Sequence, residues 1–82
     1  VYVWVEEAEN HCRVSDGGRI LFKLDPNSED KELNETAKEI AIGSGYQFDD
    51  DHFEIYVDVD RKNVAQAAMK LAQIQVAISY LG

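Results

Sequence analysis

Residues 52–59 read His-Phe-Glu-Ile-Tyr-Val-Asp-Val, a segment in which polar and apolar side chains alternate. Successive side chains of a strand point to opposite faces, so this period of two predicts a β-strand with one buried face. The buried face would carry Phe53, Ile55, Val57 and Val59. Asp60 follows at a typical helix N-cap position, which predicts a boundary between this strand and a helix.

The helix after Asp60 is predicted to run from about Arg61 to Tyr80, and it carries two apolar rows. One row contains Val64, Ala67, Leu71, Ile74, Ile78 and Leu81, and the other contains Ala65, Met69, Ala72, Val76 and Tyr80. Together the rows span an arc of about 220°, whereas a helix on one side of a small sheet needs roughly half of that. The helix therefore either fills a groove between the sheet and another helix or contacts another chain, and both alternatives stay open.

A second helix is predicted upstream, beginning after Ser28 and ending at the glycine-rich segment 43–45. Its apolar face contains Leu33, Ala37, Ile40 and Ala41. Lys31 and Glu35 stand four residues apart, so we expect them to form an ion pair on its exposed side.

The remaining segments read as strands rich in β-branched and aromatic residues, separated by polar or glycine-containing turns. Strands are predicted at Val1–Val5, His11–Ser15, Arg19–Leu24 and residues 46–49, with turns at residues 6–10, 16–18 and 50–51.

The resulting order, β-β-β-α-β-β-α, is that of an α+β protein in which an antiparallel sheet carries both helices on one face. We interpret residues 1–82 as a single domain. Because the chain begins at Val1, inside a strand-like run and not at Met, we interpret it as a fragment of a longer polypeptide.

Charge is distributed unevenly along the chain, whose net charge is −8. Residues 25–60 hold twelve acids against two lysines, a net charge of −10, whereas residues 61–82 carry +3. Such an acidic surface repels phosphate backbones, so direct binding to nucleic acid is not expected. No apolar run approaches a membrane span, and the single cysteine, Cys12, favours a reducing, cytoplasmic location.

Residues with catalytic or metal-binding potential are present, but their spacing does not favour either chemistry. His11 and Cys12 are neighbours on a predicted strand and point to opposite faces, so they do not share a ligand sphere. The acidic turn Asp49–Asp51 lacks the alternating acids of a calcium loop. We therefore expect no catalytic residues, no metal site, no cofactor and no enzymatic activity.

Apolar and aromatic residues outside the predicted core indicate a surface that binds protein. Aromatic side chains on an open sheet face commonly anchor partners, and the final helix has more apolar surface than the core needs. The candidate binding residues are Tyr2, Trp4 and Tyr56 on the sheet, and Met69, Val76 and Tyr80 on the helix. The sequence thus predicts a protein-interaction or homodimerising domain, whose partner is another protein or a second copy.

An alternative function follows from the acidic segment. A small acidic protein can imitate nucleic acid and inhibit a DNA- or RNA-binding enzyme, as a phage protein directed against a host defence nuclease would. The carboxylates that would meet the basic enzyme are those of Glu32, Glu35, Glu39, Asp49, Asp50 and Asp51.

Two resemblances accompany these patterns. The run Val14-Ser15-Asp16-Gly17-Gly18-Arg19 resembles the Ser/Thr-Asp-Gly/Asp-Gly hairpin of a family of uncharacterised prokaryotic and phage domains, and residues 45–73 resemble it too. That resemblance implies a fold and assigns no function. The element order is also similar to that of small acidic type III secretion chaperones, which place a helix before such a core and dimerise through it.

Overall fold

The computed structural model describes residues 2–24 and 30–81. Its elements, in chain order, are β1 (Trp4–Glu7), β2 (Cys12–Ser15), α1 (Arg19–Leu24), α2 (Lys31–Gly43), β3 (Gln47–Asp49), β4 (Glu54–Val59), a 3₁₀ turn (Arg61–Asn63) and α3 (Val64–Ser79). The chain is therefore an α+β protein, which confirms the predicted class.

The four strands form one antiparallel sheet in the order β1-β2-β4-β3. The alternating segment supplies β4, which lies between β2 and β3 because its apolar face can be covered along its whole length. Val14 pairs with Val57, and Ile55 on the same face has no exposed surface. Helices α2 and α3 pack against this face and contact each other, so the core lies between the sheet and these two helices.

The third strand was predicted wrongly, because Arg19–Leu24 forms helix α1. The run Ile20-Leu21-Phe22 is apolar throughout, and such a short run fits a strand or a buried helical turn equally well. The residues before it settle the conformation, since the backbone N–H of Arg19 donates to the carbonyl of Asp16 at 3.2 Å. Residues 16–18 consequently connect a strand to a helix and do not form a hairpin turn.

Strand boundaries also differ from the prediction at both ends of the sheet. β1 begins at Trp4 and not at Val1, and it continues to Glu7. β4 begins at Glu54, because Asp49 holds residues 50–53 in a turn. The Asp49 carboxylate accepts the backbone N–H groups of Asp51 at 2.9 Å and His52 at 3.3 Å, the side-chain-to-backbone bonding that is typical of such turns.

Helix α2 is capped by Asp30, whose carboxylate accepts the backbone N–H of Leu33 at 2.9 Å. Ser28, the expected cap, lies outside the described residues. The expected ion pair between Lys31 and Glu35 does not form in the described part of the chain. The cation that does pair is Lys38, whose Nζ lies 3.1 Å from a carboxylate oxygen of Asp50.

Helix α3 begins differently from the prediction, because the side chain of Asp60 makes no capping hydrogen bond within the described residues. Its backbone carbonyl instead accepts the N–H of Asn63 at 2.9 Å, which closes the 3₁₀ turn. The two predicted apolar rows differ in burial. The first is buried at Ala67, Leu71, Ile74 and Ile78, whereas the second is exposed except at the half-buried Ala72.

Candidate interaction surfaces

The sheet face opposite α2 and α3, here called the outer face, is covered by no described helix. The strand register brings Trp4, Ser15, Tyr56 and Gln47 into one row across the four strands, and Glu6, Arg13 and Asp58 into the next. Asp49 and Glu54 complete the outer face on β3 and β4. Trp4 and Tyr56 are therefore on one surface, as the sequence predicted.

Tyr2 lies before β1, outside the strand register that places Trp4 and Tyr56 on the outer face. Its backbone N–H and carbonyl are both bonded to the side-chain amide of Gln75 on α3, at 2.8 and 2.6 Å. The chain is thus attached to the helix layer before it enters the sheet.

The outer face is acidic. Among its described residues, Glu6, Asp49, Glu54 and Asp58 are opposed by the single cation Arg13. The Arg13 guanidinium lies 4.3 Å from the centre of the Tyr56 ring, and its Nε donates to Asp58 at 2.9 Å. This hydrogen bond lowers the pKa of Asp58 and raises that of Arg13.

Trp4 leans toward the turn that follows β2, and the indole remains 55% exposed. A Cβ atom added at Gly17 would lie 3.0 Å from the indole Nε1, so the ring lies directly over this glycine. Ser15 next to it is buried, accepts the Gly17 N–H at 2.9 Å and is hydrogen-bonded to the carboxylate of Glu54. Trp4 and the Glu54 carboxylate therefore flank the same turn.

Asp16 lies beneath this turn with no exposed surface. One carboxylate oxygen accepts the backbone N–H groups of Gly18 and Ile55, each at 2.9 Å, and thereby ties β2, α1 and β4 together. The other oxygen has no hydrogen-bond partner among the described residues. Burial raises the pKa of Asp16, and the backbone N–H groups oppose that rise. Asp16 is therefore a buried link between the end of β2, the turn before α1 and the start of β4.

The second apolar row of α3 forms an exposed surface on the side of the helix opposite the core, here called the apolar stripe. It consists of Ala65, Met69, Ala72, Val76 and Tyr80. Met69 is 67% exposed and Tyr80 85% exposed, although both are large. The three candidate residues Met69, Val76 and Tyr80 are thus together on one line along the helix.

The acidic candidates lie on α2 and on the turn between β3 and β4. Glu32, Glu35 and Glu39 are exposed along one side of the helix, with no ion-pair partner in the part of the chain that the structure describes. The Lys38–Asp50 ion pair joins the turn to the helix, so both acidic groups are neighbours.

Two acids of the turn already have partners within the chain. Asp50 forms the ion pair with Lys38, and Asp49 is hydrogen-bonded to the His52 ring at 3.0 Å. This contact lowers the pKa of Asp49 and raises that of His52. Asp51 remains exposed at the tip.

A cleft of about 330 Å³ opens beside α1, lined mainly by Gly18, Arg19, Phe22, His52 and Phe53. Phe53 has a φ of 52°, which is uncommon for a residue with a side chain. We assign this cleft no role.

His11 and Cys12 lie on different sides of the sheet. Cys12 is buried on the helix side of the sheet, whereas the exposed His11 ring lies 3.8 Å from Asp58. Among residues 2–24 and 30–81, no group of three or more metal-ligating side chains could hold an ion. No helix in these ranges is long and apolar enough to cross a membrane.

The candidate residues predicted from the sequence did not include Arg13 and Glu54, which belong to the outer face, or Gln75, which binds the backbone of Tyr2. Alternation placed Tyr56 and Glu54 on one face, but only the strand register brings Arg13 and Trp4 beside them. Gln75 had a usable signal, because a glutamine four residues after Leu71 on an apolar helix side predicts a buried amide with a partner.

A search of curated proteins and a search of solved structures each found no match to this chain. A family model described as Domain of unknown function DUF1828 matches residues 1–78. The chain therefore belongs to this uncharacterised family, the domain of unknown function DUF1828.

Proposed function

We propose that this domain is a non-enzymatic protein-interaction domain that pairs with a second copy of itself through α3. The observation that carries the proposal is the apolar stripe, which lies opposite the core and exposes Ala65, Met69, Val76 and Tyr80. Monomeric proteins seldom expose such a continuous apolar surface, and those that do commonly use it to bind.

A second copy is the occupant that best fits the shape of the stripe. Small and large residues alternate along it, so an antiparallel pair of α3 helices would set Ala65 against Tyr80 and Met69 against Val76. The contact is then the same surface on both copies, as a two-fold dimer requires. Ala72 would meet its own counterpart near the centre, where the helices can approach closely.

The charge around the stripe is compatible with self-association. Residues 61–81 contain no aspartate or glutamate, although the whole chain carries −8. The acids that would repel a second copy are thus kept away from this helix. A 16-residue helix is about 24 Å long, and such a contact belongs to the small interfaces, below about 1,200 Å² in total. We therefore expect a reversible dimer.

The test is sedimentation velocity over a concentration series. Met69→Glu with Val76→Glu places two charges in the stripe and should give a monomer at every concentration. The matched control, Gln66→Glu with Ala77→Glu, adds the same charge on another side of α3 and should sediment as the wild type does. A wild-type chain that remains monomeric at millimolar concentration would refute self-pairing.

The acidic candidate residues favour a second function, an imitation of nucleic acid that inhibits a DNA- or RNA-binding enzyme. Its support is the row Glu32, Glu35 and Glu39, which lies beside the acidic turn and forms no ion pair among the described residues. Binding to a basic nuclease should weaken steeply between 50 and 200 mM salt. Inhibition that persists unchanged in Glu32→Gln with Glu39→Gln would exclude this role.

A cytoplasmic location accompanies both functions as part of the proposal. Its support is that the single cysteine is a buried free thiol, which is the usual state of cysteine in a reducing compartment.

A further inference from the structure

The outer face contains two aromatic side chains, Tyr56 and Trp4, among its carboxylates. Of these two rings, only that of Tyr56 is in contact with a cation among the described residues. At Tyr56 the guanidinium of Arg13 stacks on the ring and bonds to Asp58. This arrangement combines a cation–π contact with an ion pair, two interactions that reinforce each other.

Trp4 lies on the same face as Tyr56, over Gly17. The N–H of Gly17 donates to the Ser15 hydroxyl, and that hydroxyl is hydrogen-bonded to the Glu54 carboxylate, so Trp4 and Glu54 flank one turn. Neighbouring strands are about 4.8 Å apart, so Trp4 and Tyr56, which flank Ser15 in one row, have Cα atoms about 10 Å apart. No lysine or arginine of the described residues contacts the Trp4 ring.

The charge of the outer face selects the sign of its ligand. Four carboxylates against one guanidinium leave this face at about −3 near neutral pH, which attracts cations and repels phosphates. Tryptophan is the aromatic side chain that binds cations best, and more than half of its surface is accessible.

We propose that the outer face binds an arginine- or lysine-containing segment of another protein, with the cationic side chain stacked on Trp4 and directed toward Glu54 across the turn at Gly17. The incoming cation would thereby repeat at Trp4 the arrangement that Arg13 forms at Tyr56. This site is on the opposite side of the sheet from α3, so it does not depend on dimerisation through the apolar stripe.

Trp4 is the only tryptophan of the chain, and its fluorescence therefore reports on the site directly. The probe is the capped peptide Gly-Arg-Gly-Arg-Gly, titrated at 20 mM salt. We expect a saturable change in Trp4 emission, which the equivalent glutamate peptide does not produce. Arginine peptide that leaves the emission unchanged would overturn the proposal.

Charge-matched variants separate this site from general attraction to an acidic protein. Glu54→Gln keeps an acceptor for Ser15 but removes the charge beside Trp4, so binding should weaken by about two- to fivefold. Glu39→Gln removes the same charge from α2 and should bind as the wild type does. Equal weakening by both variants would mean that only net charge matters.

A calorimetric titration tests the ring itself. Trp4→Leu should abolish the binding heat, whereas Trp4→Phe should retain part of it, because phenylalanine keeps a π face. Both variants replace an exposed residue of an edge strand, and circular dichroism checks that the fold is kept. Undiminished heat in Trp4→Leu would show that the cation binds elsewhere.

Discussion

Gly18 lies at the point where the chain leaves β2 and enters α1, with a φ of +74°. Residues with a side chain rarely adopt this conformation, and a Cβ at Gly18 would lie only 2.6 Å from the carbonyl oxygen of His52. The same turn supports both Asp16 and Trp4. Its geometry therefore determines the core link and the position of the outer-face tryptophan together.

Gly18→Ala should destabilise the fold by about 2 kcal/mol or more, because it adds backbone strain and a steric clash with backbone. Gly43→Ala is the matched control. No atom lies within 4 Å of a Cβ there, at the last residue of α2, so that variant should be stabilised by about 0.5–1 kcal/mol. Urea unfolding measures both, and equal stabilities would contradict the geometry of the turn.

The raised pKa of Asp16 predicts a pH dependence of stability. The folded state binds the Asp16 proton more tightly than the unfolded chain does, so this contribution to stability falls as the pH rises from the ordinary value of 3.8 through the folded pKa. Asp16→Asn cannot ionise and should lose this dependence. Relative to the wild type, its free energy of unfolding should therefore increase as the pH rises above 3.8.

Asp58→Asn provides a control of opposite sign. Arg13 lowers the pKa of Asp58, so the native carboxylate stabilises the fold above pH 3.8 and loses that contribution as the pH falls through the folded pKa. Relative to the wild type, the free energy of unfolding of this variant should therefore decrease as the pH rises. Parallel pH profiles for both variants would contradict the two assignments.

The His52 ring should titrate above its ordinary pKa of 6.5, chiefly because of its hydrogen bond to Asp49. In Asp49→Asn, the pKa of His52 measured by NMR should fall back toward 6.5. Asp51→Asn removes a smaller, purely coulombic contribution and should lower it less. An equal decrease in both variants would show that the hydrogen bond to Asp49 is not the main cause of the raised His52 pKa.

At the scale of elements, α3 joins the parts of the molecule. It packs on β2 and β4, contacts α1 and α2, and binds the backbone of Tyr2 through Gln75. It also accepts the Tyr46 hydroxyl at the carbonyl of Ala67. One side of this helix thus packs in the core, and the apolar stripe lies on the other side.

Gln75→Leu removes the hydrogen bonds between α3 and the backbone of Tyr2 and should destabilise the fold. The N–H and carbonyl of Tyr2 would lose their partner, which costs about 1–3 kcal/mol when such groups are shielded from water. Hydrogen exchange should show loss of protection at the Tyr2 amide. Gln73→Leu, an exposed change on the same helix, should leave that amide protected, and identical exchange in both variants would contradict the proposed link.

At the scale of the molecule, the net charge of −8 opposes compactness. The screening length is about 30 Å at 10 mM salt and about 8 Å at 150 mM, whereas the longest dimension of the molecule is 37 Å. At low salt, acids on distant elements therefore repel one another. The exposed ion pairs, such as Arg13–Asp58, contribute little in return.

Raising the salt concentration from 10 to 150 mM should therefore increase the melting temperature by several degrees, since about 1 kcal/mol corresponds to 4–8 °C in a domain of this size. Glu35→Gln with Glu39→Gln should melt higher at low salt and respond less to added salt. A melting temperature that falls with salt would mean that the ion pairs outweigh the repulsion.

The predictable parts of the fold were those with strong local periodicity. The alternation in residues 54–59 and the rows of α3 depend on the chain's own side chains, and both were predicted with the correct element type. The failure at Arg19–Leu24 came from a short apolar run, in which the N–H groups of Arg19 and Phe22 donate to the carbonyls of Asp16 and Gly18. The Asp16 side chain at the start of this turn is also held by the N–H of Ile55, a bond that exists only when β4 lies alongside.

Of the candidate binding residues, the sequence alone established which were apolar or charged and which helix had surplus apolar surface. The tertiary structure determined which of them meet. Pairing of β2 with β4 brings Arg13 to Tyr56, and pairing of β1 with β2 brings Trp4 into the same row as Tyr56. The backbone of Tyr2, which precedes β1, is hydrogen-bonded to Gln75 on α3. The reason is physical: periodicity assigns a side chain to a face, whereas its neighbours depend on register between strands far apart in the chain.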